Sequence, residues 1–407
     1  MSHESLRDFH HNQSVWLARL ATGSGDPSGY DPRLHQHADA SAIRTGESGV
    51  VMLPFERTTG ESLAAFRALS AWLRQIPIAD MLVWSMQRDA EIDLELLAQG
   101  FRSGFEPWWM TRDLSRPIAT PMHEISLITN ADIEHLADST IPYIVQAQLP
   151  LMRNLVRSTN QVIWLVARSG RTIIGQTILN ITDDHAGIFN VGVDGRYRRR
   201  GIGTSLTNAA LLLARDLGVR SVNLNSTGMG EHIYQKSGFR RIGEGMTWSI
   251  SGRNAQQPVS VENYELARAI GGGETADVES LPLPAIFPNG MTPQELAAHF
   301  HQQEMLQHLI TLGQTPEIIS LWDAGLREQA LAAASNPAAR ELVTDTRRAR
   351  PLHLATERGA GTLVLALIAA GADLHARDGE YRSTPLDWAH ACNKPTIARI
   401  IRQAGGS

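Results

Sequence analysis

The sequence predicts an α+β domain, built on a mainly antiparallel sheet with flanking helices, followed by an all-α repeat region. Three observations support this division. Short apolar runs rich in β-branched residues alternate with turns between residues 162 and 193, and a glycine-containing loop then leads into an amphipathic helical stretch. Beyond residue 350 a proline-leucine pattern occurs at Pro351 and again at Pro385, which is typical of stacked helical repeats.

The first three strands of the domain are predicted as an antiparallel meander. Val162 to Arg168 and Thr172 to Ile181 are joined by a Ser-Gly-Arg turn. An Asp-Asp-His turn leads into the third strand, Ala186 to Val193. Because each turn is only three residues long, neighbouring strands must run in opposite directions.

A helix, a strand and a short helix are predicted next. The first helix runs from Ser205 to Leu217, because its apolar residues recur at spacings of four, three and four and form one stripe. Gly218 ends this helix. A strand from Ser221 to Asn225 and a short helix from Gly228 to Lys236 follow.

The loop before the first helix has the properties of a phosphate-binding site. Arginine fills four of the five positions from Arg196 to Arg200, and Gly201 and Gly203 follow where the helix should begin. The unpaired N–H groups of a helix N-terminus attract anions. A Rossmann turn would need a third glycine where Leu206 stands, and a P-loop would need lysine where Thr204 stands. The loop therefore belongs to neither class.

This loop resembles the Arg/Gln-x-x-Gly-x-Gly signature of the GNAT superfamily of acyl-CoA N-acyltransferases. The order of elements from Glu124 to Ile250, with a Tyr-x-x-x-Gly-Phe ending at Phe239, matches the same family. The resemblance implies a GNAT fold, acetyl-CoA as cosubstrate and no metal. The residues that it assigns to coenzyme binding are Val191, Gly192, Val193, Arg198, Arg199, Arg200, Gly201, Ile202, Gly203, Thr204, Asn225 and Tyr234.

Three catalytic residues are also assigned. Tyr234 matches the tyrosine that the family commonly uses as general acid, and a phenol is suited to protonating a departing thiolate. Asn225 is expected to contact the pantetheine or the tetrahedral intermediate. Many relatives carry a glutamate in the fourth strand, but this chain has none there, which leaves Asp183, Asp184 or His185 as the base. His185 has the most suitable pKa, although a solvated turn is the alternative for all three residues.

The N-terminal part of the chain is predicted to be a degenerate copy of the same domain. Gly100-Phe101 corresponds to Gly238-Phe239, and Leu96 stands where the second copy has Tyr234. Met81 to Met86 is the expected strand and Glu61 to Gln75 the expected helix, but no glycine signature precedes that helix. Trp108 and Trp109 are expected either to line an acceptor cleft or to lie in the core.

The C-terminal part resembles ankyrin repeats from Arg350 onward. Pro351-Leu-His-Leu-Ala355 and Thr384-Pro-Leu-Asp-Trp-Ala389 begin two copies, and Thr292-Pro293 begins a third upstream. Gln314 to Arg350 is a divergent unit. In each copy a glycine follows the proline at the same interval, which gives the pairs Pro293 and Gly313, Pro351 and Gly371, and Pro385 and Gly405.

These patterns divide the chain into four predicted domains. The segment from Ser251 to Asn289 is rich in glycine, proline, glutamate and serine, which is typical of a linker. The predicted domains are a degenerate GNAT lobe (1–118), a catalytic GNAT domain (119–255), a linker (256–289) and ankyrin repeats (290–407).

Several functions remain open at this stage. The first is acetyl transfer to a small amine, such as an antibiotic or a metabolite; the second is acetylation of a protein that the repeats recruit; the third is a non-catalytic scaffold that holds coenzyme A. A tandem arrangement favours the first, because a second lobe encloses a pocket. The net charge of −5 favours cationic acceptors over nucleic acid.

Composition limits the cell biology and the covalent chemistry. A single cysteine, Cys392, excludes an internal disulfide, and the histidines near the N-terminus lack metal-site spacing. The first residues do not resemble a signal peptide, and no apolar run approaches the roughly 18 residues that a membrane span needs. We therefore expect a cytoplasmic protein without a membrane partner, which self-associates or binds a protein through the repeats.

Overall fold

The computed structural model describes all residues except 1–2, 23–33, 38–39, 46–47, 54–57, 77, 135, 137–140, 143–148, 228–229, 344–347 and 380–381. The chain forms two compact units. The first contains Met1–Ile92 and Ser103–Gln257, and the second contains Asp93–Arg102 and Pro258–Ser407. Most of the helix that follows residue 90 therefore belongs to the C-terminal unit.

All thirteen described strands lie in the first part of the chain, and helices occur throughout. The strands are β1 (Leu34–His37), β2 (Ala40–Thr45), β3 (Ser48–Met52), β4 (Asp80–Ser85), β5 (Arg102–Ser103), β6 (Trp108–Asp113), β7 (Ile125–Leu127), β8 (Val162–Ser169), β9 (Thr172–Thr182), β10 (His185–Val193), β11 (Ser221–Ser226), β12 (Arg240–Glu244) and β13 (Met246–Ser251). The helices up to the end of the first unit are α1 (His3–Thr22), α2 (Thr59–Leu73), α3 (Ala90–Ala98), α4 (Asn130–Glu134), α5 (Leu149–Ser158), α6 (Ile202–Asp216), α7 (Glu231–Lys236) and α8 (Arg253–Gln256). The later helices are α9 (Val261–Gly272), α10 (Thr275–Glu279), α11 (Pro293–His299), α12 (Gln303–Thr311), α13 (Ile318–Asp323), α14 (Arg327–Ala333), α15 (Pro337–Arg340), α16 (Pro351–Glu357), α17 (Gly361–Ala369), α18 (Pro385–Ala391) and α19 (Pro395–Gln403).

The predicted elements of the second lobe are confirmed. β8, β9 and β10 form the antiparallel meander, and α6 and β11 follow in the expected order. α6 begins three residues earlier than predicted, at Ile202, and ends at Asp216. Leu217, which the apolar stripe assigned to the buried face, is 52% exposed because it lies just beyond the helix.

The two sheets of the first unit exchange their last strands. The first sheet has the order β1-β2-β3-β4-β13-β5, and the second has the order β12-β6-β11-β10-β9-β8-β7. β6 therefore leaves the N-terminal half of the chain and pairs with β11 and β12, while β13 returns to pair with β4. The exchanged strands begin at Trp108 and Met246, which are equivalent positions of the repeat that aligns Gly100 with Gly238. Each sheet thus depends on both halves of the unit.

The two faces of the second sheet are covered by different elements. On one face, α6 buries Ala210 and Leu211 against Val222 and Leu224 of β11. On the other face lies α1, whose Trp16 stacks on Phe189 of β10 at 4.8 Å between ring centroids. The two faces also differ in polarity. The α6 face is apolar, and the α1 face carries many polar groups.

Polar contacts fix α1 on its face of the sheet. The side-chain amide of Asn12 donates to the carbonyl of Asn180 at 3.2 Å and to the hydroxyl of Thr182 at 3.0 Å. The guanidinium of Arg19 donates to the carbonyl of Ile181 at 2.8 Å and to the side chain of Asn180. Buried donors of this kind cost free energy unless they are paired, so the contacts specify where α1 docks.

The segment that the sequence predicts as a linker, residues 256–289, contains α9 and α10. α9 packs with the part of α3 that belongs to the second unit. The hydroxyl of Tyr264 donates to the carboxylate of Glu95 at 2.8 Å, and the guanidinium of Arg268 lies 3.7 Å from the same carboxylate. Glu95 is buried, so these two partners offset the cost of its desolvation.

The rest of the second unit contains four described helix pairs, α11–α12, α13–α14, α16–α17 and α18–α19. Thr292 and Thr384 each close a capping box before a proline at the first helical turn. The three glycines predicted to end the repeats, at 313, 371 and 405, all have positive φ. The predicted divergent unit contains the pair α13–α14 and the short helix α15.

Two buried polar residues connect successive helix pairs. The Nε2 atom of His353 lies 3.1 Å from the carbonyl of Ala376 and 3.2 Å from that of Ser383, beside α18. Upstream, the hydroxyls of Thr292 and Ser320 both donate to the Glu317 carboxyl, at 2.9 and 2.8 Å. Burial raises the pKa of Glu317 to about 7, which means that much of this carboxyl is protonated near neutral pH.

Candidate functional site

The neighbouring parallel strands β10 and β11 separate along their length. They pair from His185 with Ser221 to Ile188 with Leu224. Beyond those residues β10 continues to Val193 and β11 to Ser226, with no pairing between the two strands. Where the strands separate, the main chain of Val191 to Val193 has no strand partner on its β11 side, and the Val193 carbonyl accepts the Nε–H of Arg198 at 3.3 Å.

A β-bulge directs the separating part of β10. On the β9 side, Phe189 pairs with Ile178 and Gly192 pairs with Gln176, so two residues of β10 oppose one of β9. Asn190, inside the bulge, has φ of 53°. Asparagine tolerates this left-handed conformation better than most residues, which explains its presence in an otherwise apolar strand.

The loop after β10 ends at an open helix N-terminus. Gly201 occupies the N-cap position of α6 with φ of 79°, and no side chain caps the helix there. Within the described part of the chain, no acceptor takes the backbone N–H of Ile202, Gly203 or Thr204. A Cβ atom on Gly203 would meet only Val193, at 3.8 Å, so the space in front of the first turn is open. Such a terminus binds anions through its N–H groups and its dipole.

The arginines of the loop have different roles. The guanidinium and backbone N–H of Arg196 both bind the Asp194 carboxylate, each at 2.9 Å, which neutralises that charge locally. Arg198, Arg199 and Arg200 are exposed, and none of them forms an ion pair within the described residues. The Arg200 guanidinium lies 5.4 Å from the centroid of the Tyr197 ring. Three exposed arginines therefore directly precede the open helix N-terminus in the chain.

A hydrogen-bond network connects this loop to the segment before β7. The hydroxyl of Ser205, in the first turn of α6, accepts the backbone N–H groups of Met122 and His123 at 3.1 and 3.3 Å. The Nε2 atom of His123 lies 2.7 Å from the carbonyl of Arg200. These contacts hold the backbone of the loop in position before any ligand binds, which lowers the entropic cost of binding.

Tyr234 lies beside the free end of β11. Gly230 brings α7 close to this end, because a Cβ atom on Gly230 would lie 3.1 Å from the Ser226 hydroxyl and 3.3 Å from the Tyr234 ring. The ring is half-buried and packs edge-on against Phe239, with centroids 6.0 Å apart. Asn225 is half-buried and pairs with Trp109 of β6 at the same end of the strand.

His185 lies at the opposite end of β10 from the glycine loop. Eight residues separate it from Val193, about 26 Å along an extended strand. Both ring nitrogens have protein partners: Nδ1 is 2.8 Å from the Ser221 hydroxyl, and Nε2 is 3.0 Å from Asp184. This position argues against His185 as the general base.

The two tryptophans expected near an acceptor cleft have core or edge positions instead. Trp109 is fully buried, and its indole N–H donates to the carbonyl of Met86 at 2.9 Å. Trp108 is half-buried under the Arg241 guanidinium, which lies 4.1 Å from the ring centroid. The core alternative therefore holds for Trp109, because the exchanged strand β6 lies between β12 and β11 in the second sheet.

Residues 160–241 match the family model of the acetyltransferase (GNAT) domain. The match contains the meander, the glycine loop and α7, and it ends in β12. The coarse prediction of a GNAT acetyltransferase domain is thereby confirmed. GNAT domains use acetyl-CoA generally, and they transfer acyl groups.

Solved structures of GNAT proteins are also similar to part of the chain. A GCN5-related N-acetyltransferase from Kribbella flavida is 12% identical over 61% of this chain and 96% of its own, with a TM-score of 0.45. One from Sphaerobacter thermophilus is 16% identical over 62% and 94%, with a TM-score of 0.42. A tandem GNAT protein from the clavulanic acid biosynthesis pathway is 13% identical over 63% and 96%, with a TM-score of 0.41. No curated protein matches the sequence.

Among the described residues, no group of three or more histidine, cysteine, aspartate or glutamate side chains is arranged to hold a metal ion. None of the described helices is long and apolar enough to cross a bilayer.

Two features of the site were not predicted from the sequence. The first is Asn190, whose positive φ forms the bulge; a polar residue that interrupts an apolar strand was the available signal. The second is Asn223, which is buried in β11 with both side-chain polar atoms unpaired in the described structure. Its burial depends on strand β6, which is distant in sequence, so no local pattern could identify it.

Proposed function

We propose that the chain is an acetyl-CoA-dependent N-acetyltransferase that acts on a small amine. The observation that carries this proposal is the separation of β10 from β11 directly before the uncapped N-terminus of α6. An extended thioester arm fits between separated strands, and a pyrophosphate fits at the open helix end. The match to the acetyltransferase family over residues 160–241 supports the same reaction.

In this proposal the protein supplies binding, orientation and one proton. The N–H groups of Ile202 to Thr204 and the arginines from Arg198 to Arg200 hold the pyrophosphate, and main-chain groups of Val191 to Val193 hold the arm. The bound coenzyme supplies an activated thioester. Attack of the neutral amine on the thioester carbonyl would form the C–N bond and break the C–S bond. Tyr234 would donate its proton to the departing thiolate, and the proton that the amine loses would return to the tyrosinate through water. Asn225, at the free end of β11, is proposed to orient the reacting carbonyl.

A small acceptor is favoured over a polypeptide by the position of α1. This helix contacts β9, β10, β11 and β6 and covers the sheet face that a polypeptide would otherwise cross. Gly187 is buried under Asn12, since a Cβ atom there would lie 2.0 Å from the Asn12 side-chain oxygen. The remaining approach to the separated strands suits a compact amine. We further propose that the C-terminal helix pairs are ankyrin repeats that bind a protein or a second copy of the chain.

The test is to measure thiol release from acetyl-CoA with the full-length protein. One panel contains polyamines, amino sugars and amino acids, and a second contains lysine peptides and peptides with free N-termini. The proposal expects turnover on at least one small amine and little on peptides. Turnover restricted to peptides would replace the small-amine proposal with protein acetylation, and no turnover on either panel would favour a coenzyme-binding scaffold.

A further inference from the structure

A cavity lies in the first unit, at the end of the second sheet opposite the glycine loop. Its volume is about 640 Å³, which is within the range of small-molecule sites. Neighbouring strands β12, β6, β11 and β10 form one wall, the N-terminal part of α1 forms another, and the turn after α6 closes a third side. The polar side chains that line it include Asp8, Thr111, Asp113, His185, Ser221 and Arg240.

Strand register places these polar side chains in rows across the sheet. Asp113 of β6 is directly opposite Ser221 of β11, and Ser221 is directly opposite His185 of β10. Arg240 of β12 is opposite Thr111 of β6, two residues before Asp113. Side chains directly opposite each other are about 5 Å apart at Cβ, so the rows form a continuous polar wall.

The middle of this wall is fixed by hydrogen bonds. The Nδ1 atom of His185 is 2.8 Å from the Ser221 hydroxyl, and Nε2 is 3.3 Å from the Asp8 carboxylate and 3.0 Å from that of Asp184. Asp184 in turn accepts from the guanidinium of Arg220. These groups compensate one another, and they hold α1, β10 and β11 in a defined geometry around the cavity.

Two opposite charges in the cavity lack an ion-pair partner within the described part of the chain. The Asp113 carboxylate accepts the backbone N–H of Ser115 at 2.8 Å but forms no ion pair there. That hydrogen bond lowers the pKa of Asp113 and keeps it ionised. The Arg240 guanidinium lies 3.5 Å from the Ser5 hydroxyl and likewise has no ion pair among the described residues. Although they lie on adjacent strands, Asp113 and Arg240 do not pair with each other.

We propose that this cavity binds a free amino acid, with its ammonium group at Asp113 and its carboxylate at Arg240. A simple anion would be repelled by Asp113 and a simple cation by Arg240, whereas a zwitterion satisfies both. Thr111 lies opposite Arg240 and Ser221 lies opposite Asp113, so a hydroxyl stands beside each charge and supplies a further hydrogen bond. Asn223, opposite Thr111, adds an unpaired buried amide on the same face of the sheet.

The position of this cavity argues against its ligand being the acetyl acceptor. His185 lies three residues before Ile188, the last residue of β10 that pairs with β11, and three residues span about 10 Å of strand. Gly187 and Asn223, between the cavity and the separated strands, are both buried. An amine held at Asp113 is therefore out of reach of a thioester between the strands.

Calorimetric titration of the full-length protein, without acetyl-CoA, tests this site. Glycine, L-serine, L-glutamate and L-lysine are the probes, together with the N-acetyl derivative and the methyl ester of each. We expect at least one amino acid to bind with a Kd below about 1 mM, and each blocked derivative to bind about tenfold or more weakly, because it lacks one charge. Asp113→Asn and Arg240→Gln should each weaken binding by a similar factor.

Arg241→Gln is the matched control, because the Arg241 guanidinium lies over Trp108 and does not line the cavity. This variant should bind the amino acid like the parent protein, and far-UV circular dichroism should be the same for all variants. The proposal is overturned if none of the four amino acids binds, if the blocked derivatives bind equally well, or if Asp113→Asn and Arg240→Gln leave binding unchanged. Acetylation of the bound amino acid with a KM altered by Asp113→Asn would instead make the cavity the acceptor site.

Discussion

The two lobes of the first unit contain the same strand–helix–strand arrangement, but only one of them is open. In the N-terminal lobe, β3 and β4 are parallel neighbours, with α2 between them in sequence, and all five residues of β3 pair with β4. In the second lobe, β10 and β11 are parallel neighbours with α6 between them, but only the first four residues of the nine-residue β10 pair with β11. The first arrangement leaves no gap for a ligand, and the second does.

The N-termini of α2 and α6 also differ: side chains cap that of α2, and no side chain caps that of α6. The Thr58 hydroxyl accepts the N–H of Glu61, and the Glu61 carboxylate accepts the N–H of Thr58 at 3.0 Å. A second carboxylate, Asp89, accepts the Thr59 hydroxyl at 2.6 Å. α2 therefore already has negative charge at its N-terminus, where α6 has Gly201 and three exposed arginines. Under the proposed function, we therefore expect one coenzyme site per chain, at α6.

The largest expected effect on turnover comes from removing the Tyr234 hydroxyl, which is the proposed proton donor. The counterpart of Tyr234 in the N-terminal lobe, Leu96, has no proton to donate. Tyr234→Phe should lower kcat about 100-fold, since general acid catalysis contributes this much or more, while the Kd for acetyl-CoA changes little. Steady-state kinetics and direct titration of acetyl-CoA measure the two quantities. His232→Gln, on the exposed side of the same helix, is the control. Equal kcat in Tyr234→Phe and the parent would remove Tyr234 from the mechanism.

Thr204→Glu makes the N-terminus of α6 resemble that of α2. Residue 204 is the third residue of α6, as Glu61 is of α2, so the new carboxylate competes with the pyrophosphate for the same N–H groups. We expect acetyl-CoA to bind about 30-fold more weakly, which corresponds to about 2 kcal/mol. Thr204→Gln, without the charge, should lose much less affinity. If both substitutions weaken binding equally, steric change and not charge is responsible.

Removal of the exposed arginines should have a smaller, salt-dependent effect. With Arg198, Arg199 and Arg200 all changed to glutamine, we expect about tenfold weaker binding of acetyl-CoA at low ionic strength and a smaller difference at about 0.5 M salt, where exposed charges are screened. Arg171→Gln, in the turn between β8 and β9, is the control. A loss of affinity that does not depend on salt would contradict a purely electrostatic role.

Glu61→Gln gives the smallest expected effect. The first lobe has no gap between β3 and β4, so weakening its capping box should leave the affinity for acetyl-CoA unchanged within about twofold and the stoichiometry at one. The same substitution should lower the melting temperature slightly, because the capping box stabilises α2. A second binding event in Glu61→Gln would mean that the charge at α2, and not the closed strands, excludes the coenzyme.

The local patterns of the second lobe were sufficient to predict its elements. The strands β8 to β10, the helix α6 and the glycine loop follow from alternation, helical spacing and turn residues, all of which act over a few neighbouring positions. The exchange of β6 and β13 was not predictable, because it depends on pairing between strands from distant parts of the chain. The internal sequence repeat contained a hint, since it aligns Trp108 of β6 with Met246 of β13.

The position of His185 argues against the predicted role as base for a simpler reason. Its residue type suited a base, but the length of β10 alone separates it from the glycine loop. A nine-residue strand with the glycine loop at one end cannot bring a side chain at its other end to that loop. The length of this strand is visible in the sequence, so the separation of His185 from the loop was predictable.

Hydrogen–deuterium exchange with and without acetyl-CoA tests the difference between the two lobes most directly. We expect slower amide exchange in peptides that cover residues 191–204 when acetyl-CoA is present, because the ligand occupies the free N–H groups there. Peptides that cover residues 58–62 at the start of α2 should exchange at the same rate in both conditions. Protection at the start of α2 equal to that at α6, or no protection at residues 191–204, would contradict the proposal that acetyl-CoA binds at α6 and not at α2.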